Sequence, residues 1–349
     1  MAREPLKLER ILICRTDNIG DVVLTLPLAG YLKQRFPQAQ IDFLVRAYAA
    51  PVVRQCRFVN QVLAIEEHGD HRRMFVEGEY DTVIFAFPNR RLAQAARRAR
   101  VANRVGTSHR LFHLFSCNRL AHFSRVKSNL HEAQLNFMLL KPLDMGHIPS
   151  LAEIPALYGL EAPRLHDVDL LAAQAPFNVI LHPKSNGNGR EWPLARYTEL
   201  ARLLEQDRGV CLWVTGSAAE GELIARGAPE LLAMPHVRNL CGRFDLAGLT
   251  ALIGAADGLV ASGTGPLHMG AALGRPVLGL FPPIKPIDPA RWGALGAQAR
   301  NLCAAERCAT CTGVLACTCM RAIEATAVAE IVRGWRELPR RGATPPTSS

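Results

Sequence analysis

The chain has 349 residues, 49% of them hydrophobic, which is enough to bury two domain-sized cores and too many for a disordered polymer. Lys and Arg number 41 against 31 Asp and Glu, a formal charge of +10 that favours anionic partners. The N-terminus is charged and lacks the apolar core of a secretory signal, which points to a cytoplasmic protein whose ten cysteines are reduced.

Arg10–Cys14 is an apolar run of strand length, and Arg-Thr-Asp-Asn-Ile-Gly-Asp (15–21) is the loop after it. Val22, Val23, Leu26, Ala29, Leu32 and Phe36 then recur at helical spacing, with Asp21 at the N-cap position. Pro27 is expected to kink this helix or force a local adjustment. Strand-like runs follow at 41–45, 59–65 and 82–87 with helical material between them, the alternation of a mainly parallel sheet.

From Thr82 to His131 there is no acidic residue, while ten Arg or Lys fall there, among them Arg97, Arg98 and Arg104. Nucleic acid does not suit this stretch, because aromatic interleaving is thin (Phe112, Phe115, Phe123) and no nucleic-acid motif appears. A phosphorylated glycolipid at a membrane surface remains, as does a merely solvated face.

The weakly periodic, proline-dotted region 141–177 reads as the connection between two domains. A second series then opens at 178–182 and leads into a Gly/Asn-rich loop that carries Lys184, Ser185 and Arg190. It continues with a helix over 194–206, the strand 210–214, a loop Thr215-Gly216-Ser217, a helix carrying Glu220, and a helix over 246–255. Residues 257–281 form a strand, loop, helix, strand unit that cannot cross a membrane, since Arg275 and His268 interrupt it. Its loop, Gly263-Thr264-Gly265, lets the backbone approach a ligand, with Pro266 at the helix start and Gly274 at its end. Free N–H groups there suit a diphosphate. A last helix is expected over 323–338, before a Pro/Thr/Ser tail at 339–349 that reads as disordered. Near the end, Cys308 and Cys311 with Cys317 and Cys319 offer four thiolates to a zinc ion, although the second spacing is tight and loop cysteines without metal are the simpler reading.

Together Arg15-Thr-Asp-Asn-Ile-Gly-Asp21, Arg190-Glu-Trp-Pro193, Gly216-Ser-Ala-Ala-Glu220, Leu240-Cys-Gly242 and Thr264-Gly-Pro-Leu-His268 resemble the motifs of glycosyltransferase family 9, the lipopolysaccharide heptosyltransferases. The resemblance implies a GT-B fold of two Rossmann-like domains facing across a cleft, an acceptor-binding domain over 1–165 and a nucleotide-sugar domain over 166–322. It also implies that the C-terminal helix returns to the first domain. Inverting transfer from ADP-heptose without a required cofactor is implied too, on a lipopolysaccharide-core acceptor at the inner face of the cytoplasmic membrane. Asp21 takes the family's catalytic position, with Asp17 as second choice of base. Lys184, Ser185, Arg190, Glu220, Gly263, Thr264, Gly265, Pro266 and His268 fall to the donor, and Arg97, Arg98 and Arg104 to the acceptor.

One departure concerns the donor loop. Many members carry Asp directly before the Thr-Gly, where this chain has Gly263, so a carboxylate that reads sugar hydroxyls is missing. Two other classes compete. An epimerase would want a Gly-x-Gly-x-x-Gly turn after the first strand, which 15–21 lacks. A non-catalytic nucleotide-sugar binder is opposed by Asp21 and favoured by Gly263.

Overall fold

The computed structural model describes residues 8–338 apart from 186, 188 and 304–318. The chain forms two compact units. The first runs to Pro163 and also takes in Ala271–Gly274 and Ala290–Ala297; the second holds the rest from Arg164.

In the first unit six strands, β1 (Arg10–Cys14), β2 (Gln40–Val45), β3 (Gln61–Ala64), β4 (Thr82–Phe85), β5 (Asn103–Thr107) and β6 (Arg119–Ala121), pair in parallel in the order β3-β2-β1-β4-β5-β6. The central strands are apolar on both faces because helices cover both: Ile11, Leu12, Ile13, Val83, Ile84 and Phe85 are fully buried. The second unit repeats the plan with β7 (Phe177–His182), β8 (Val210–Val214), β9 (Val237–Asn239), β10 (Gly258–Ser262), β11 (Val277–Phe281) and β12 (Ala299–Cys303), in the order β12-β11-β10-β7-β8-β9. Read from the other edge, this is the same order as in the first unit. It is the Rossmann order, in which the chain reverses its direction of growth between the first and fourth strands and opens a crevice at their carboxyl ends. In the two units those strand pairs are β1 with β4 and β7 with β10.

The sequence reading finds the central strands and passes over β5, β6, β9 and β12. These contain Arg104, Arg119, Arg238 and Arg300, and three of them are short or lie at a sheet edge, where one side is solvated and the apolar signal fades.

The helix after β1 is divided. Ile19–Val23 ends at Leu24, and Leu26–Arg35 begins with Pro27 in its first turn, where the missing N–H costs nothing. Its N-cap residue is Asn18, so Asp21 lies inside the first turn and does not cap the helix as the sequence pattern suggests. The C-terminal helix Ala325–Gly334 lies along the Leu194–Leu204 helix of the second unit, tied by Arg333 Nε to Asp207 Oδ2 at 3.0 Å. Among the described residues no helix is long and apolar enough to cross a membrane.

Candidate functional site

Each unit places chemistry-bearing residues at its own switch point, and the two sets differ in kind.

In the first unit the organising group is Arg15, only 3% exposed, at the end of β1. Its Nε donates to Asp17 Oδ1 at 2.8 Å, one Nη bonds Asp21 Oδ1, and the other donates to the Ala86 carbonyl after β4 at 3.2 Å. Arg15 thus bridges the two strands that flank the crevice. Glu132, 2% exposed, stands behind it, 3.8 Å from Arg15 Nη2. Arg125 also pairs with Glu132, and Arg291 Nη2 donates to its other oxygen at 2.5 Å. His131 Nε2 lies 2.9 Å from the Gly293 carbonyl, so the 290–297 segment is held to this unit at two points. Asn136 closes the network by donating to the Leu24 carbonyl at 3.0 Å, in the break between the two halves of the helix.

Three guanidinium groups therefore face three carboxylates in a largely buried cluster. Such a cluster holds geometry more than it adds stability, because desolvation offsets much of the attraction. Burial raises the Asp17 carboxyl to about 6 against the pull of Arg15, with Asp21 reinforcing the rise. Burial and the neighbouring guanidiniums Arg15 and Arg291 push Arg125 down to about 9, which leaves it charged at neutral pH. Asp21 Oδ2 has no hydrogen-bond partner among the described residues, and the side chain keeps 16% of its surface open. Asp17 Oδ2 is likewise unbonded among the described residues and its side chain is equally open, so each of the two carboxylates keeps one oxygen that can take a proton.

The acceptor candidates lie elsewhere in this unit. Arg97 and Arg98 are exposed on the Arg90–Arg98 helix, and Arg97 Nη1 donates to the Phe115 carbonyl at 2.7 Å. Arg104 is half-buried and bonds the Ser116 carbonyl at 2.8 Å and the Val101 carbonyl, so its guanidinium is committed to backbone.

The second unit builds its crevice from loops. The loop after β7 and the loop after β10 touch: Trp192 N donates to Ser262 Oγ at 3.1 Å, and a Cβ on Gly189 would sit 3.0 Å from the Gly263 carbonyl. Lys184 pairs with Glu191, which also accepts from Ser185 N at 2.9 Å, so this carboxylate shapes the loop. Trp192 is a packing residue, 1% exposed, set edge-on to Tyr197 with its Nε1 donating to the Ile323 carbonyl at 3.0 Å. Glu220 closes a capping box with Ser217, accepting from Ser217 N at 2.7 Å. Burial lowers His182 to about 4, so it is neutral where it contacts Thr215 Oγ1 at 2.9 Å.

The loop at 263–264 leads into the Gly265–Ala272 helix, with Pro266 second in its first turn and Gly274 at φ +69° beyond its end. His268 is 3% exposed within that helix. Thr264 is only 8% exposed, and its hydroxyl has no hydrogen-bond partner among the described residues. A buried hydroxyl without a partner, set beside a helix start, is an arrangement that can hold an anion. Gly263 has a neighbour that explains its lack of a side chain: a Cβ there would lie 2.7 Å from Phe281 Cε1, and that ring is 1% exposed. The aromatic ring occupies the space that a side chain at 263 would need.

Of the four zinc candidates, Cys308, Cys311 and Cys317 lie outside the described residues, and Cys319 is buried in a short 3-10 turn. The reading from sequence missed Arg15, Glu132, Arg125 and Arg291. One signal was present for Glu132: it is the first carboxylate after the acid-free stretch that ends at His131.

A model of glycosyltransferase family 9 (heptosyltransferase) matches residues 70–318. Lipopolysaccharide heptosyltransferase 1 of Pseudomonas aeruginosa is 29% identical over 326 residues, covering 86% of each chain. Among solved structures, the Escherichia coli ADP-heptose lipopolysaccharide heptosyltransferase II superposes with a TM-score of 0.73 at 22% identity, over 93% of this chain and 98% of that one. The family 9 glycosyl transferase of Veillonella parvula gives 0.75 at 18% identity, over 96% and 99%. The two structures are similar in fold, that of the GT-B glycosyltransferases.

Proposed function

The chain belongs to glycosyltransferase family 9, and from that premise we propose that it moves a heptose from ADP-heptose, with inversion, onto an anionic acceptor of the lipopolysaccharide-core kind. The observation that carries the donor half is the buried, unpartnered Thr264 hydroxyl at the start of the Gly265–Ala272 helix. A diphosphate would satisfy that hydroxyl and the N–H groups beside it, with Arg190 adding charge as the leaving group departs.

The first unit supplies the base. Asp21 Oδ2 takes the proton of the acceptor hydroxyl, the freed oxygen attacks the anomeric carbon, and the bond to the diphosphate breaks on the opposite face. Arg15 holds Asp21 in its rotamer through Oδ1 and leaves Oδ2 to react. Arg97 and Arg98 meet the acceptor's anionic groups. A nucleotide-sugar donor places the reaction in the cytoplasm, where such donors are made.

A second reading keeps the reaction and changes the sugar, because Phe281 fills the place of a carboxylate at Gly263. A calorimetric screen of ADP, UDP and GDP, followed by transfer assays with their sugars, tests both. ADP is expected to bind tightest and ADP-heptose to turn over fastest. Preference for UDP or GDP would overturn the donor nucleotide, and turnover of another ADP-sugar alone would overturn the heptose.

A further inference from the structure

Two aromatic side chains stand beside the carboxylates of the first unit with no part in the chemistry described above. Among the described residues only three Phe, Tyr or Trp side chains are exposed: Tyr48 at 45%, Phe87 at 37% and Phe115 at 69%. The first two flank the Arg15–Asp21 segment. β2 and β4 pair with β1 on its two sides, Tyr48 comes just after the end of β2 at Val45, and Phe87 just after the end of β4 at Phe85. Elsewhere in this unit the rings are hidden, with Phe43, Phe75, Phe85 and Phe137 fully buried. Aromatic surface left in water at one place is surface that a ligand with apolar faces would cover.

Both residues are tied to the segment they flank. Tyr48 Oη donates to the Asp17 carbonyl at 2.9 Å. Burial holds the Tyr48 hydroxyl above its usual range against the pull of Arg46, with Asp17 and Asp21 reinforcing the rise, so it remains a donor at neutral pH. Phe87 N donates to the Cys14 carbonyl at 3.1 Å, next to Ala86, whose own carbonyl accepts from Arg15. Arg46 adds a positive charge, its guanidinium carbon lying 5.6 Å from the centre of the Tyr48 ring. Its contact with Glu66 at 3.5 Å joins two exposed side chains, a kind of pair that holds its members weakly. Glu66 has other work, accepting from Ala47 N at 2.8 Å.

We propose that Tyr48 and Phe87 are the rings on which the acceptor's sugar stacks, and that this sugar is a pyranose whose anionic substituent meets Arg46. A pyranose offers C–H faces to aromatic rings and carries hydroxyls at its rim, so a sugar stacked here presents a hydroxyl to the carboxylates between the rings. An acyl chain would want a continuous apolar face, whereas these two rings are separated by a charged segment. Tyr48 is also a positioning residue, because its hydroxyl ties down the backbone that carries Asp17. The inference rests on the transfer reading and goes beyond it by naming what the acceptor touches.

Steady-state kinetics with ADP-heptose and a deacylated lipopolysaccharide-core glycan, together with saturation-transfer NMR of that glycan, test it. Tyr48→Ala and Phe87→Ala should each raise the acceptor KM roughly tenfold, with the donor KM unchanged. Both should also weaken the saturation reaching the glycan's ring protons. Tyr48→Phe keeps the ring and removes the tie to Asp17, so KM should hold while kcat falls. Arg46→Gln should raise the acceptor KM and flatten its dependence on salt. Wild-type urea midpoints in these variants would tie the changes to binding. Turnover with a wild-type acceptor KM in both alanine variants would overturn this inference and leave the transfer reading standing. A wild type that neither binds the glycan nor turns it over would overturn both.

Discussion

The two units share one strand order yet furnish their switch points differently. In the first, six charged side chains from the loop after β1, the helix that follows, and the 125–132 and 290–297 segments converge, and Arg15 bonds one oxygen each of Asp17 and Asp21. In the second, the charged groups Lys184 and Glu191 pair to shape a loop, and beside them stand a helix start, the unpartnered Thr264 hydroxyl and a glycine whose neighbour is an aromatic ring. The difference follows the work proposed for each. Moving a proton needs a carboxylate held in one geometry, which buried ion pairs provide at little net gain in stability. Holding a diphosphate, the work proposed for the second, needs several modest donors, which a helix start can supply alongside a cationic side chain.

Breaking the charge cluster should have the largest effect. Glu132→Gln leaves three guanidiniums without their shared carboxylate and should cost about 3–5 kcal/mol, read as a drop in the urea midpoint. A loss below about 1 kcal/mol would mean that solvent reaches the cluster. Next comes Asp21→Asn, expected to cut turnover roughly 100-fold or more while ADP affinity stays put. Equal turnover would move the base to Asp17.

In the second unit Thr264→Val should weaken ADP roughly tenfold by calorimetry, the scale of one hydrogen bond to a charged group. Unchanged affinity would take the diphosphate away from this loop. Gly263→Asp should destabilise by about 1–3 kcal/mol because its Cβ meets the Phe281 ring, and Phe281→Leu in the same chain should recover part of that loss. If no destabilisation appears, the ring moves freely and the explanation for Gly263 fails.

The smallest effect is a slope. The folded pKa of Asp17, about 6, lies above its ordinary 3.8, so ionised Asp17 opposes folding. Its contribution to stability should therefore improve as the pH falls from about 6 toward 4, and Asp17→Asn should flatten the urea midpoint over that window. An identical slope in the variant would show that Asp17 is not the titrating group.

Much of this was open to reading without a structure. Apolar runs such as Ile11–Ile13 and Val179–Leu181 report burial on both faces, and the glycines and proline of 263–266 report a tight approach to a helix start, because both signals are local. Pro27 reported the break that the structure shows at Leu24 and Thr25. The N-cap falls at Asn18 and not at Asp21, since Asn and Asp both suit that position and nothing local decides between them.

From its sequence alone the chain is determined to be a pair of parallel α/β units with a glycine-rich loop after the tenth strand, since hydrophobic period and turn residues act over a few positions. Only the tertiary structure decided that Glu132 meets Arg291, 159 positions away, and that Phe281 fills the room beside Gly263. Charge pairing and steric exclusion depend on which surfaces the folded chain brings within a few ångströms. No pattern along the chain encodes that distance.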